Sequence, residues 1–218
     1  MTAVETTVAA PFEQVWRALR DPEEIRDDLA QSVEWPVRWH GWEYDGLAEE
    51  IDVIYVRDVD ADEQAGTLAM ADGSRFELER AGDDATVVRV RMPARAGGDA
   101  YDEIREGWAS FVLQLRFALE RHPGEERRTL QLFGTDPAPL DPGPVGERYE
   151  GETTWGEHWS GEVLFRDEHQ VVMTVDEYGP GLVVLHAEPD GGGMAIVTAY
   201  GLDDEAFAAL ERRWRDGY

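Results

Sequence analysis

The sequence predicts an α+β protein: an antiparallel sheet curled around a long C-terminal helix, then a partial second copy made of a strand meander and a helix. Three observations carry this. Period-two alternation recurs between residues 51 and 92, a single long amphipathic helix is written over 101–121, and after a proline-rich loop the strand-then-helix texture returns.

The first element is a short strand over 4–8, VETTV. Ala10-Pro11 then opens a helix, where proline is tolerated because the first amides have no intrahelical partner. Phe12, Val15, Trp16 and Leu19 follow at helical spacing as one apolar stripe. Asp21-Pro22 interrupts it and starts a second short helix with Ile25 and Leu29 inward. The stretch VEWPVRWHGWEY, Val33 to Tyr44, alternates like a strand, with Pro36 placing it at an edge or an irregular point. A bulge at Gly41 would put Trp35, Trp39, Trp42 and Tyr44 on one face and leave His40 facing water.

Strands follow at Ile51–Val56, around Leu68 and Met70, at Arg75–Glu79 and at Val87–Met92, with a turn at Ala81–Asp84. Their alternation predicts a meander with one wet and one dry face. Residues 101–121 place Ile104, Trp108, Phe111, Leu115 and Leu119 on one side, and Val112, Leu113 and Phe117 widen it. So apolar a helix should lie on the sheet and have a second side covered. Beyond Arg121, HPGEERR is polar and TDPAPLDPGPVG is a loop. Strands resume at Val163–Phe165, Val171–Val175, Leu182–His186 and Met194–Tyr200, with a turn at Asp190–Gly193. A helix after Asp203-Asp204 carries Phe207, Leu210 and Trp214. The expected domains are 1–125 and 126–218, the second a degenerate or partial copy of the first.

Charge narrows the functional classes. Forty-seven acids face twenty bases, a net charge of −27. Every base is arginine, which removes lysine Schiff bases and a P-loop lysine. Nucleic acid and anionic membranes are poor partners for such a surface. With no cysteine there is no disulfide, thiolate metal site or thiol nucleophile. No apolar run is long enough for a membrane span, and the opening residues do not read as a secretory signal, so a cytoplasmic location is expected.

Three stretches together resemble the START-like (SRPBCC) superfamily of helix-grip proteins, in particular the bacterial relatives of the activators of the heat-shock chaperone ATPase. VAAPFEQVWRALRDPEEI resembles the family's opening strand and helix, GDDATVVRVRMP the strand leading toward its last helix, and EGWASFVLQLRFALE that helix itself. They span residues 1 to about 121; WGEHWSGEVLF in the second half resembles part of a second copy. The resemblance implies a sheet gripping its last helix, with a hydrophobic ligand held between them in many members. Relatives include polyketide cyclases and dehydratases, lipid and hormone carriers, and stimulatory partners of chaperones.

Candidate chemistry is sparse. Asp58, Asp60 and Asp62 have a D-x-D-x-D spacing, but Glu63 stands where a calcium loop needs glycine and Ala69 where it needs a bidentate acid. They read as solvated turn acids, and no metal or other cofactor is expected. His158 lies in WGEHWSGE beside Glu157, without a G-x-S-x-G elbow or paired-histidine spacing; it reads as a loop residue. His186 sits in a strand and reads as a buried, satisfied histidine, while His40, His122 and His169 read as surface or turn residues. Glu50, His158 and His186 are the ionisable candidates for any catalysis. The default site is an apolar pocket, walled by Trp35, Trp39, Trp42, Tyr44, Tyr55, Met70, Phe76, Trp108, Phe111, Val112 and Leu115, while any one of these taken alone reads first as plain core.

Three functions follow as expectations. The first is a small-molecule binding protein with a hydrophobic ligand between sheet and long helix. The second is a cyclase-, dehydratase- or hydrolase-like enzyme using an ionisable group in the same cavity. The third is an interaction module that binds a chaperone or self-associates.

Overall fold

The computed structural model describes residues 2–20, 59–93, 103–134, 140–179, 181–187 and 192–218, which divide into two compact units, Met1–Gly124 and Glu125–Tyr218. The second short helix, the aromatic stretch 33–44, the strand at 51–56 and the turn at Asp190 lie outside the described residues. The described fold is α+β, with two antiparallel sheets.

The first unit begins with β1 (Thr2–Val8) and α1 (Phe12–Arg20). Pro11 stands just before the helix, and its carbonyl accepts from the amides of Gln14 and Val15. Phe12, Val15 and Leu19 are buried as the spacing predicts, with Trp16 half-buried. The strands β2 (Asp60–Asp62), β3 (Thr67–Ala69), β4 (Arg75–Arg80) and β5 (Thr86–Met92) complete a five-stranded sheet in the order β1-β5-β4-β3-β2. Register pairs Leu68 with Phe76, Phe76 with Val90, and Leu78 with Val88, so alternation delivers these side chains to one dry face.

The wet face is a ladder of charges. Arg91 and Arg75 both bind Glu77, and Arg89 binds Glu5 and Glu79. Desolvation pushes the Glu77 carboxyl up, but the two arginine hydrogen bonds outweigh it and hold the group below its ordinary value. Asp60 and Asp62 lie in an exposed edge strand rather than a turn, with the Asp62 carboxylate accepting from the Ala65 amide.

Helix α2 (Glu103–Arg121) lies on the dry face. Val112 and Leu115 are buried in the core with Trp108, Phe111 and Leu119 packed against it, whereas Ile104, in the first turn, is exposed. The helix is buried on a second side as well, and there the residues are polar: Glu106, Ser110 and Gln114. Ser110 Oγ donates to the Glu106 carbonyl, Gln114 Nε2 to the Ser110 carbonyl, and Arg105 pairs with Glu106. His122, expected at the surface, is buried beside the Phe117 ring at the end of the helix, where its amide still bonds to the Ala118 carbonyl.

The second unit is a six-stranded antiparallel sheet in the order β6-β11-β10-β9-β8-β7: β6 (Arg127–Gly134), β7 (Arg148–Glu152), β8 (His158–Arg166), β9 (Gln170–Val175), β10 (Gly181–Ala187) and β11 (Gly193–Tyr200). Strands β6 and β7 replace segments read as polar linker or left unassigned. Arginine pairs and charged alternation disguise them. Helix α3 (Asp204–Gly217) starts at Asp203, whose side chain accepts from the Ala206 amide. Its Phe207, Leu210 and Trp214 join one sheet face, with Leu130, Val183, Leu185 and Val197.

Candidate functional site

In the first unit the predicted wall residues that are described do come together. Phe76 on β4 meets Trp108 edge-on at 5.2 Å and Phe111 at 6.1 Å, and Trp108 meets Phe111 at 5.6 Å. All three separations lie in the favourable range for edge-to-face rings. The helix places Trp108 and Phe111 three residues apart on one side, and the pleat aims Phe76 at them. Met70, Val112 and Leu115 are buried in the same core. Met70 lies one residue beyond β3, where its amide bonds to the Ser74 carbonyl. The three rings differ in exposure: Phe76 is 0% exposed, whereas Trp108 and Phe111 are only half-buried. Trp35, Trp39, Trp42, Tyr44, Tyr55 and the candidate acid Glu50 lie outside the described residues.

The two candidate histidines, His158 and His186, belong to the second unit. His158 is the first residue of β8, not a loop residue; its side chain is 53% exposed and sits 3.6 Å from Glu150 across the β7–β8 pair. The preceding residue, Glu157, turns inward instead. It accepts from Arg213 Nε at 2.8 Å and from Trp159 Nε1 and the Tyr178 hydroxyl at 3.2 Å each. Desolvation pushes the Glu157 carboxyl up, but these donors, Arg213 first, hold it below its ordinary value. Burial pushes the neighbouring Tyr178 phenol up, and the Glu157 charge adds to that. Around this carboxylate Trp155, Trp159 and Trp214 pack at 5.2–5.6 Å, so WGEHWSGE contributes a structural aromatic core. His186 is buried on β10, as its strand context predicts.

Sequence reading passed over Arg127. It and its neighbour Arg128 point to opposite faces of β6. Arg128 lies over the Phe207 ring at 4.3 Å and pairs with Asp204 at 2.6 Å. Arg127 faces the other way and is buried, with Nη1 lacking a hydrogen-bond partner among the described residues. The one available signal was the spacing itself, since adjacent strand residues cannot both reach solvent on the same face.

Among the described residues no group of histidine and acidic side chains is placed to hold a metal ion, and no helix is long and apolar enough to cross a membrane. No family model matches the chain, and no curated protein matches it. Among solved structures, the chain is similar to DynU16, a protein of the dynemicin biosynthetic locus, at 18% identity over 98% of this chain and 93% of the other, with a TM-score of 0.35. It is also similar to two di-domain ARO/CYC proteins. StfQ, from the steffimycin pathway, is 13% identical over 96% and 87% of the two chains with a TM-score of 0.36. BexL, from the BE-7585A pathway, is 14% identical over 96% and 88% with a TM-score of 0.37. Likeness at this level transfers neither a site nor an activity.

Proposed function

We propose that the first unit binds a small apolar molecule against the Phe76–Trp108–Phe111 cluster, between the dry face of the sheet and α2. The observation that carries this is the unequal burial of one ring cluster. Phe76 is sealed, yet Trp108 and Phe111, on the helix side that packs on the core, keep surface open. An unsealed aromatic surface over a buried floor of Met70, Val112 and Leu115 favours a hydrophobic occupant. Trp35, Trp39, Trp42, Tyr44 and Tyr55 are proposed as the remaining wall. The second unit is read as a partial second copy of the same plan, with α3 on its sheet.

Binding is favoured over catalysis because the described members of the cluster are carbon-lined apart from the indole nitrogen. Glu106 leaves α2 on the opposite side from Trp108, and His158 and His186 belong to the other unit. The test is titration of the full chain with N-phenyl-1-naphthylamine, a neutral apolar fluorophore. Saturable binding is expected, weakened about tenfold or more by Trp108→Ala. Absence of saturation, or binding unmoved by both Trp108→Ala and Phe111→Ala, would overturn the proposal.

A further inference from the structure

The apolar stripe of α2 passes from open to sealed along the helix. Ile104, in the first turn, is 36% exposed, Trp108 one turn later is half-buried, and Val112 a further turn on is 1% exposed. Residues four apart stack on one side of a helix and lean toward its start. The open surface of the ring cluster therefore lies toward the first turns of α2, and Val112 and Leu115 form its sealed end.

Trp108 brings one polar atom to this surface. Its indole nitrogen makes no hydrogen bond to any described residue, and it keeps accessible surface, unlike the Trp155 nitrogen, which is sealed without a partner. The Trp159 nitrogen, by contrast, donates to Glu157 at 3.2 Å. An indole N–H only donates. A hydrocarbon laid over it displaces water and leaves the donor unpaired, which loses affinity, whereas a ligand oxygen restores the bond. A carboxylate also accepts, but among the described residues neither Phe76 nor Trp108 has an arginine over its ring, as Phe12 has Arg80 at 3.9 Å and Phe207 has Arg128 at 4.3 Å. An anion here would be desolvated without a counter-charge, in a chain of net charge −27.

We infer that the Trp108 indole N–H orients the ligand, and that the ligand is an uncharged apolar molecule carrying a hydrogen-bond acceptor, such as a carbonyl or ether oxygen, seated toward the first turns of α2. This rests on the binding reading above and adds the ligand's chemical class to it. Trp108 then has two separable parts. Its ring holds the apolar body, and its nitrogen selects among bodies of similar size.

The experiment titrates the full chain with 2-acetylnaphthalene, 2-ethylnaphthalene and 2-naphthoate. Trp108→Phe keeps a ring and removes the donor. The affinity for the acetyl probe relative to the ethyl probe should fall about fivefold in the variant, the net worth of one neutral hydrogen bond. The wild type should bind 2-naphthoate about tenfold or more weakly than 2-acetylnaphthalene. A second readout needs no substitution: the assigned indole N–H proton of Trp108 should move further downfield with the acetyl probe than with the ethyl probe. An acetyl-to-ethyl ratio unchanged in a folded Trp108→Phe, or an indole proton that responds alike to both, overturns the inference and leaves apolar binding standing. Naphthoate bound as tightly as the acetyl probe overturns it too. Failure of all three probes to saturate removes the binding site itself, and the inference with it.

Discussion

Truncating Phe76 and Trp108 separately should have unequal effects, and the inequality distinguishes a lined site from a filled core. Phe76 is 0% exposed and touches both other rings edge-on. Phe76→Ala removes a fully buried ring and leaves a void among Val90, Leu68 and the helix, which costs about 4 kcal/mol. Trp108 makes two edge contacts of the same kind, worth about 1 kcal/mol each, but the residue is only half-buried. Trp108→Ala should therefore cost about 2 kcal/mol, despite the larger side chain. Urea unfolding followed by far-ultraviolet circular dichroism measures both, because that signal does not depend on the tryptophan removed. The reasoning is refuted if Trp108→Ala is as destabilising as Phe76→Ala, since the indole would then be sealed core with nothing to offer a ligand.

Other outcomes follow from single contacts. Glu157→Gln should destabilise the second unit by about 2 kcal/mol, since an amide oxygen turned to the Trp159 and Tyr178 donors sets an NH2 against Arg213 Nε and the charged bond is lost. The Glu157 carboxyl lies below its unfolded value of 4.5, so its contribution is present above that pH and fades as pH falls through the folded value. Acid unfolding profiles should show this, and the Gln variant should lose that part of the pH dependence. Gly66 has φ of +67°, and a Cβ there would meet the Leu78 carbonyl oxygen at 2.3 Å. Gly66→Ala should cost more than about 2 kcal/mol by chemical denaturation, whereas Gly73→Ala, at φ +83° with no atom nearer than 3.5 Å, should cost about 1. Asp203→Ala should lower stability by about 1 kcal/mol through loss of the bond from the Ala206 amide, measurable as a shift in melting temperature.

The legible parts of this fold were those where one physical rule acts alone. Alternation at Arg75–Glu79 and Val87–Met92 placed the dry face, because Phe76, Leu78, Val88, Val90 and Met92 fall on one side and Arg75, Glu77, Glu79, Arg89 and Arg91 on the other. Phe12, Val15 and Leu19 were legible for the same reason. Strand β6 was hidden because its face away from α3 carries Arg127, Thr129 and Gln131, so no polar-out, apolar-in contrast marks it. Strand β7 carries two glutamates and a glycine around a single buried Tyr149, whose hydroxyl donates to the Thr174 carbonyl. His122 and Ile104 exchanged their expected environments because each lies near a helix end, where the 3.6-residue stripe no longer dictates what covers a side chain. Within the site, helical spacing brought Trp108 and Phe111 to Phe76, but periodicity has no signal for the difference between a half-covered ring and a sealed one.

The most direct test of ligand binding at α2 is the nuclear Overhauser contact map of bound N-phenyl-1-naphthylamine on the full chain, with the aromatic residues assigned. Contacts from the probe to the ring protons of Trp108 and Phe111 are predicted, with none to Trp159 or Trp214, which are sealed at 0% and 1% exposure. Contacts confined to the second unit's aromatic core, or a bound probe that touches neither Trp108 nor Phe111, would contradict it.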